Sequence, residues 1–116
     1  MENKQLKGAE SSRMFYRCIG AGAPAIIMDA GLGDTSETWE SVAGQIAQIT
    51  RVFVYDRAGV GRSPLSTLPR TSNRMVRELR ALLVHAKVEP PYLLVGHSFG
   101  GLNMMLYASR YPHEVA

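Results

Sequence analysis

Cysteine is nearly absent from this sequence: Cys18 is the single one in 116 residues. One thiol excludes an internal disulfide and fits a reducing compartment, so a cytoplasmic location is the expectation. Long hydrophobic runs are missing as well. No apolar stretch approaches the ~20 residues of a membrane span, and no apolar segment follows Lys4 and Lys7 near the start. Neither a transmembrane helix, nor a signal peptide, nor a membrane partner is expected. Histidine is scarce, with only His85, His97 and His113. They and Cys18 lack metal-ligand spacing, so no metal and no cofactor are expected. Repeats and low-complexity tracts are also lacking, and the length suits one small domain.

What is present is an ordinary apolar share, 46%, with 20% charged residues, enough for a core. Net charge is +3, and arginine supplies ten of the thirteen positive charges. Their densest group, Arg70, Arg74, Arg77 and Arg80, falls on the polar side of an amphipathic helix pattern. No stacked aromatic pattern or nucleic-acid motif accompanies it, so a solvated helix face is expected and no nucleic-acid partner.

Residues 1–12 are polar and read as a flexible N-terminus, leaving 13–116 as the domain. Met14–Ile19 is a short strand candidate that ends at the turn signal Gly20-Ala21-Gly22-Ala23-Pro24. Ala25–Met28 is a continuous apolar run, as in a strand covered on both faces. The loop Asp29-Ala30-Gly31-Leu32-Gly33-Asp34 follows. Trp39, Val42, Ala43, Ile46 and Ile49 recur at helical spacing and predict a helix over about Ser36–Ile49, with Gly44 as a mild objection. Arg51–Tyr55 is the next buried strand. A second helix is expected over about Thr71–Lys87, burying Met75, Val76, Leu79, Leu82, Leu83 and Ala86. Pro90-Pro91 stops it. Tyr92–Val95 is a third buried strand, and a third helix runs over about Phe99–Tyr111. Alternating strands and helices predict an α/β fold with a mostly parallel sheet between helical layers.

Chemistry concentrates at Gly96-His97-Ser98-Phe99-Gly100, a match to G-x-S-x-G, the nucleophile elbow. A serine on a tight strand-to-helix turn stands exposed above the sheet. The flanking Gly96 and Gly100 are needed because a side chain would collide where strand and helix approach so closely. The first helical turn then offers a free backbone N–H, from Phe99, to a developing oxyanion. Composition alone would yield about 0.08 such matches, and few chance matches would fall between an apolar strand and a helix. The bland alternative is a glycine-rich turn with an exposed serine.

These motifs, with the Gly31-Leu32-Gly33 loop and Asp56-Arg57-Ala58-Gly59-Val60-Gly61-Arg62-Ser63, make the chain resemble the α/β-hydrolase superfamily over about residues 13–116. It is similar to the bacterial esterase, proline-iminopeptidase-like and lactonase-like branches. The resemblance implies Ser98 as nucleophile and the N–H groups of Leu32 and Phe99 as the oxyanion hole. Family members often open the loop with His-Gly, whereas this sequence has Ala30-Gly31, which removes a side chain that commonly braces the loop. For Asp56-to-Ser63 it implies a structural loop near the site. A serine at the elbow disfavours the related dehalogenase and epoxide-hydrolase branches, which use Asp there.

In this fold the acid and the base follow the serine, in that order. Only His113 and Glu114 follow Ser98, reversed, and roughly 20 Å along the third helix. His97 is expected to pack beside the pocket and His85 to lie on the second helix. The chain is therefore expected to be the N-terminal portion of the fold, C-terminally truncated and inactive alone. The parent activity is acyl transfer, most readily on a carboxylic ester, with amide, thioester and lactone substrates open. The competing expectation is a non-catalytic half-domain that binds a partner. Self-association through an exposed strand edge follows from the truncation. A dinucleotide site is weaker, because Gly31-Leu32-Gly33 lacks the third glycine of G-x-G-x-x-G.

Overall fold

The computed structural model describes residues 13–65 and 70–116. The expected flexibility of 1–12 lies outside the described residues. Four strands form one sheet: β1 (Tyr16–Ile19), β2 (Ala25–Asp29), β3 (Val52–Tyr55) and β4 (Tyr92–Gly96). Their order is β1-β3-β2-β4, with β2 parallel to β3 and to β4, and β1 antiparallel to β3. The sheet is thus mixed; apolar patterning marks a strand but carries no information about its direction.

Alternation along the strands splits the core in two. Ile27, Phe53 and Tyr55 face α2 (Ser72–His85) and α3 (Phe99–Arg110), where Leu79, Leu82, Leu83 and Tyr107 are fully buried. Each such leucine contributes about 1.5–3 kcal/mol by leaving water. On the other face Met28, Val52 and Val54 meet Ala43 of the short α1 (Glu40–Ile46).

The second helix keeps its expected apolar face. It starts at a Thr71 side-chain cap on the Arg74 N–H, 3.1 Å away, and ends before Lys87, which takes a positive φ of 61°. That residue reverses the chain, so the helix stops two residues short of its expected end. The first helix differs more. A 3₁₀ turn occupies Ser36–Trp39, α1 stops at Ile46, and bonds from Ile49 N–H and Thr50 N–H back to the Ile46 carbonyl form a closing turn. Ile49 therefore points outward and is 83% exposed, although its spacing placed it on the buried face.

β4 lies at the edge of the sheet. Among the described residues its free side is met only at one end, where Val115 bridges Tyr92 in parallel and the Ala116 N–H donates to the Tyr92 carbonyl at 2.8 Å. Leu93, Leu102 and Met105 are exposed beside it.

Candidate functional site

The C-terminal ends of β2 and β4 meet at one point. Asp29 pairs with Gly96 in register, and the His97 N–H donates to the Asp29 carbonyl at 3.1 Å. One residue later Ser98 turns the chain at φ 55°, ψ −116°, and α3 begins at Phe99. A positive φ is strained for a serine, and such strain persists where its surroundings over-determine it. The surroundings here are tight. A Cβ on Gly96 would come within 2.5 Å of the Gly100 carbonyl oxygen, and one on Gly100 within 2.6 Å of the Ala30 carbonyl oxygen. Ser98 itself is exposed at the tip of the turn.

Beside it runs the loop after β2. The Asp34 N–H bonds back to the Gly31 carbonyl at 3.0 Å, making a turn whose tip is Leu32-Gly33. Leu32 is 78% exposed, and among the described residues its N–H donates to no backbone carbonyl. His97 packs on this loop: a Cβ on Gly31 would lie 2.8 Å from its Nδ1. The structure thus brings together Ser98, Phe99, Gly96, Gly100 and the loop carrying Leu32.

Beneath the loop lies a residue whose importance the sequence did not disclose. Arg57, 4% exposed, forms an ion pair with Asp29 and donates to the carbonyls of Ala30 at 2.7 Å and Gly31 at 3.1 Å. Its guanidinium carbon lies 5.2 Å from the centre of the Phe99 ring, against the face of the first residue of α3. Asn103 of α3 donates to the other Asp29 oxygen at 3.2 Å. Burial nevertheless holds the Asp29 carboxyl above its ordinary value, with Arg57, Asn103 and Tyr55 pulling the other way. The Tyr55 hydroxyl is pushed well up, by burial first and then by Asp29. The loop after β2 is thus braced from below by an arginine.

The other candidates separate from the site. Asp56 accepts from the backbone N–H groups of Ser36 at 2.7 Å and Arg62 at 3.0 Å, so its carboxylate is committed to shaping the loop. His113 and Glu114 sit in the 3₁₀ turn after α3, next to the bridge at Tyr92, and thus at the opposite end of β4 from Ser98. His85 closes α2. Among the described residues no cluster of three His, Cys, Asp or Glu side chains could hold a metal, and no helix is long and apolar enough to cross a membrane. An open, mainly apolar trough of about 580 Å³ runs from Ser98 along β4 and α3, past Leu94, Gly101, Leu102 and Met105.

A mixed, mainly parallel sheet flanked by helices, with a strained residue where the edge strand β4 turns into α3, defines a hydrolase-type α/β scaffold. The model of the alpha/beta hydrolase fold matches residues 24–116, and the chain belongs to that family. It is 41% identical over 96 residues to the Bacillus subtilis protein YqjL, described as uncharacterized, covering 83% of this chain and 38% of the relative. Among solved structures it resembles a marine microorganism esterase, with TM-score 0.81 and 25% identity over 89% of this chain and 39% of that one. It also resembles the enol-lactonase of Burkholderia xenovorans LB400, with TM-score 0.81 and 26% identity over 88% and 40%. The chain spans about two-fifths of the length of these relatives.

Proposed function

We propose that the whole protein is a serine hydrolase working by acyl transfer, with Ser98 as nucleophile and the Leu32 and Phe99 N–H groups as its oxyanion hole. The observation that carries this is the exposed Ser98 at φ 55° between β4 and α3, wedged by Gly96 and Gly100. Attack by Ser98 Oγ on an acyl carbonyl makes a tetrahedral oxyanion, which free backbone N–H groups stabilise without reorganising. Phe99 opens the helix, so its N–H has no partner within it. Small-molecule carboxylic esters are the favoured substrates; the kinship with an esterase and an enol-lactonase supports acyl–oxygen chemistry. An amide remains the harder substrate of the same mechanism.

A serine needs a base, and this chain's histidines either neighbour Ser98 in sequence or lie at the far end of the sheet. The isolated chain is therefore a poor catalyst. It hydrolyses an activated aryl ester slowly, with a residual rate over water of up to ~10³ to 10⁴-fold from the oxyanion hole and binding. That residual rate does not depend on the serine, so the assignment is tested by the covalent adduct: a phosphonyl or acyl group carried on Ser98 and lost in Ser98→Ala supports it, and an adduct carried by another residue overturns it.

The exposed β4 edge favours a second role for the isolated chain, self-association. Leu93 on the edge, with Leu102 and Met105 beside it, presents apolar surface next to unpaired backbone groups. Light scattering on the chain is expected to show dimers or larger species. A monodisperse monomer contradicts this.

A further inference from the structure

We propose that Arg57 is a positioning residue that sets the direction and donor strength of the Leu32 N–H. The inference rests on the serine-hydrolase assignment above and names a part of its machinery. Its basis is one peptide unit. The carbonyl of Gly31 and the N–H of Leu32 belong to the same rigid plane, so fixing one fixes the other. Arg57 donates to that carbonyl at 3.1 Å and the Asp34 N–H donates to it at 3.0 Å, which occupies both of its acceptor positions. The preceding plane is held in the same way, through the Ala30 carbonyl at 2.7 Å.

Three consequences follow. First, the Leu32 N–H is directed away from Arg57, toward the open side of the loop. Second, the Gly31–Leu32 peptide cannot flip: the reversed carbonyl would abandon a buried guanidinium and set the N–H against it. Third, a cation on the carbonyl polarises the whole amide, and hydrogen bonds in such chains strengthen one another by about 10–30% per bond. The Leu32 N–H thereby becomes a better partner for a negative oxygen. Asp29 neutralises and orients the guanidinium, and Phe99 covers its face. The same arginine thus touches both elements that carry the two oxyanion N–H groups. Lysine has one nitrogen and cannot serve Asp29, Ala30 and Gly31 with a planar fork.

The test uses the 116-residue chain and two readouts. Nuclear magnetic resonance reads the Gly31 carbonyl carbon and the Leu32 amide nitrogen, both sensitive to hydrogen bonding at that carbonyl. Mass spectrometry reads the rate at which a fluorophosphonate modifies Ser98. In Arg57→Lys the Gly31 and Leu32 signals are expected to move upfield, and Ser98 modification to slow by about tenfold or more, as small displacements of a reacting geometry do. Asp29→Asn removes the charge that orients the guanidinium and is expected to move the Gly31 and Leu32 signals less than Arg57→Lys does. If neither variant folds, the wild-type chain still decides. A downfield Gly31 carbonyl with Arg57 guanidinium protons protected from exchange supports the proposal, and an ordinary carbonyl with fast-exchanging protons overturns it. Unmoved Gly31 and Leu32 signals in folded Arg57→Lys overturn it while leaving the Ser98 assignment standing. Moved signals with an unchanged modification rate also overturn it. Absence of any adduct on Ser98 in the wild type overturns the hydrolase assignment instead, and the proposal with it.

Discussion

Asp29 and Glu114 are both carboxylates held by an arginine, one at each end of the sheet, and their surroundings push them in opposite directions. Asp29 is fully buried with Arg57, and burial raises its carboxyl despite the ion pair. Glu114 accepts from Arg80 Nη2 at 2.7 Å and from the Tyr107 hydroxyl at 2.7 Å near the surface, and these bonds lower its carboxyl, the Arg80 bond most of all. Water decides the difference. A buried pair must offset a large desolvation cost, whereas a half-exposed pair has little to offset and gains little. The first is kept where a loop has to be positioned, the second where a chain segment is clasped to two helices.

The largest effect expected from this contrast is at Arg57. Arg57→Met takes the guanidinium from the buried Asp29 and from the Ala30 and Gly31 carbonyls, and breaking a buried pair in this way costs about 3–5 kcal/mol. Denaturant titration should show a lower midpoint by that amount, or no folded state. A loss below ~1 kcal/mol would mean that water reaches the site and that the two ends of the sheet do not differ in kind.

The smallest effect is at Glu114. Glu114→Gln is expected to cost about 0.2–1 kcal/mol at neutral pH, the range of exposed pairs. The pH dependence sharpens the contrast. Glu114 has a folded value below its ordinary 4.5, so its contribution is present above pH 4.5 and is lost as pH falls through the folded value. Asp29 has a folded value above its ordinary 3.8, so the folded state takes up its proton first and gains relative stability as pH falls through that raised value. Thermal melts between neutral and acid pH should therefore show Glu114→Gln losing less stability on acidification than the wild type. Equal slopes in the two proteins would contradict the assignment of that loss to Glu114.

These contrasts also mark what could be read from the sequence. Gly96-His97-Ser98-Phe99-Gly100 was legible because everything it requires is local: an apolar strand, a tight turn, two missing side chains and a helix. The buried face of α2 was legible through its 3.6-residue period, and Leu79, Leu82 and Leu83 are fully buried. Arg57 was not. Its partners lie 26 to 28 residues away, brought together only by the parallel register that sets Met28 beside Val54. One local signal existed: Arg57 stands two residues after the apolar strand Val52–Tyr55, and Asp29 is the last residue of Ala25–Asp29, two charges beside core strands. Ile49 was misplaced because periodicity extends a helix for as long as apolar residues recur, whereas α1 ends at Ile46 in a turn. The antiparallel direction of β1 left no trace in its pattern, since alternation is the same for either direction.

Mapping the adduct of a fluorophosphonate on this chain tests the proposed role of Ser98 as nucleophile. Slow modification is expected, far from stoichiometric in the time a complete triad needs, confined to Ser98 and abolished in Ser98→Ala. Modification carried by any other residue, or unchanged in Ser98→Ala, would contradict that role.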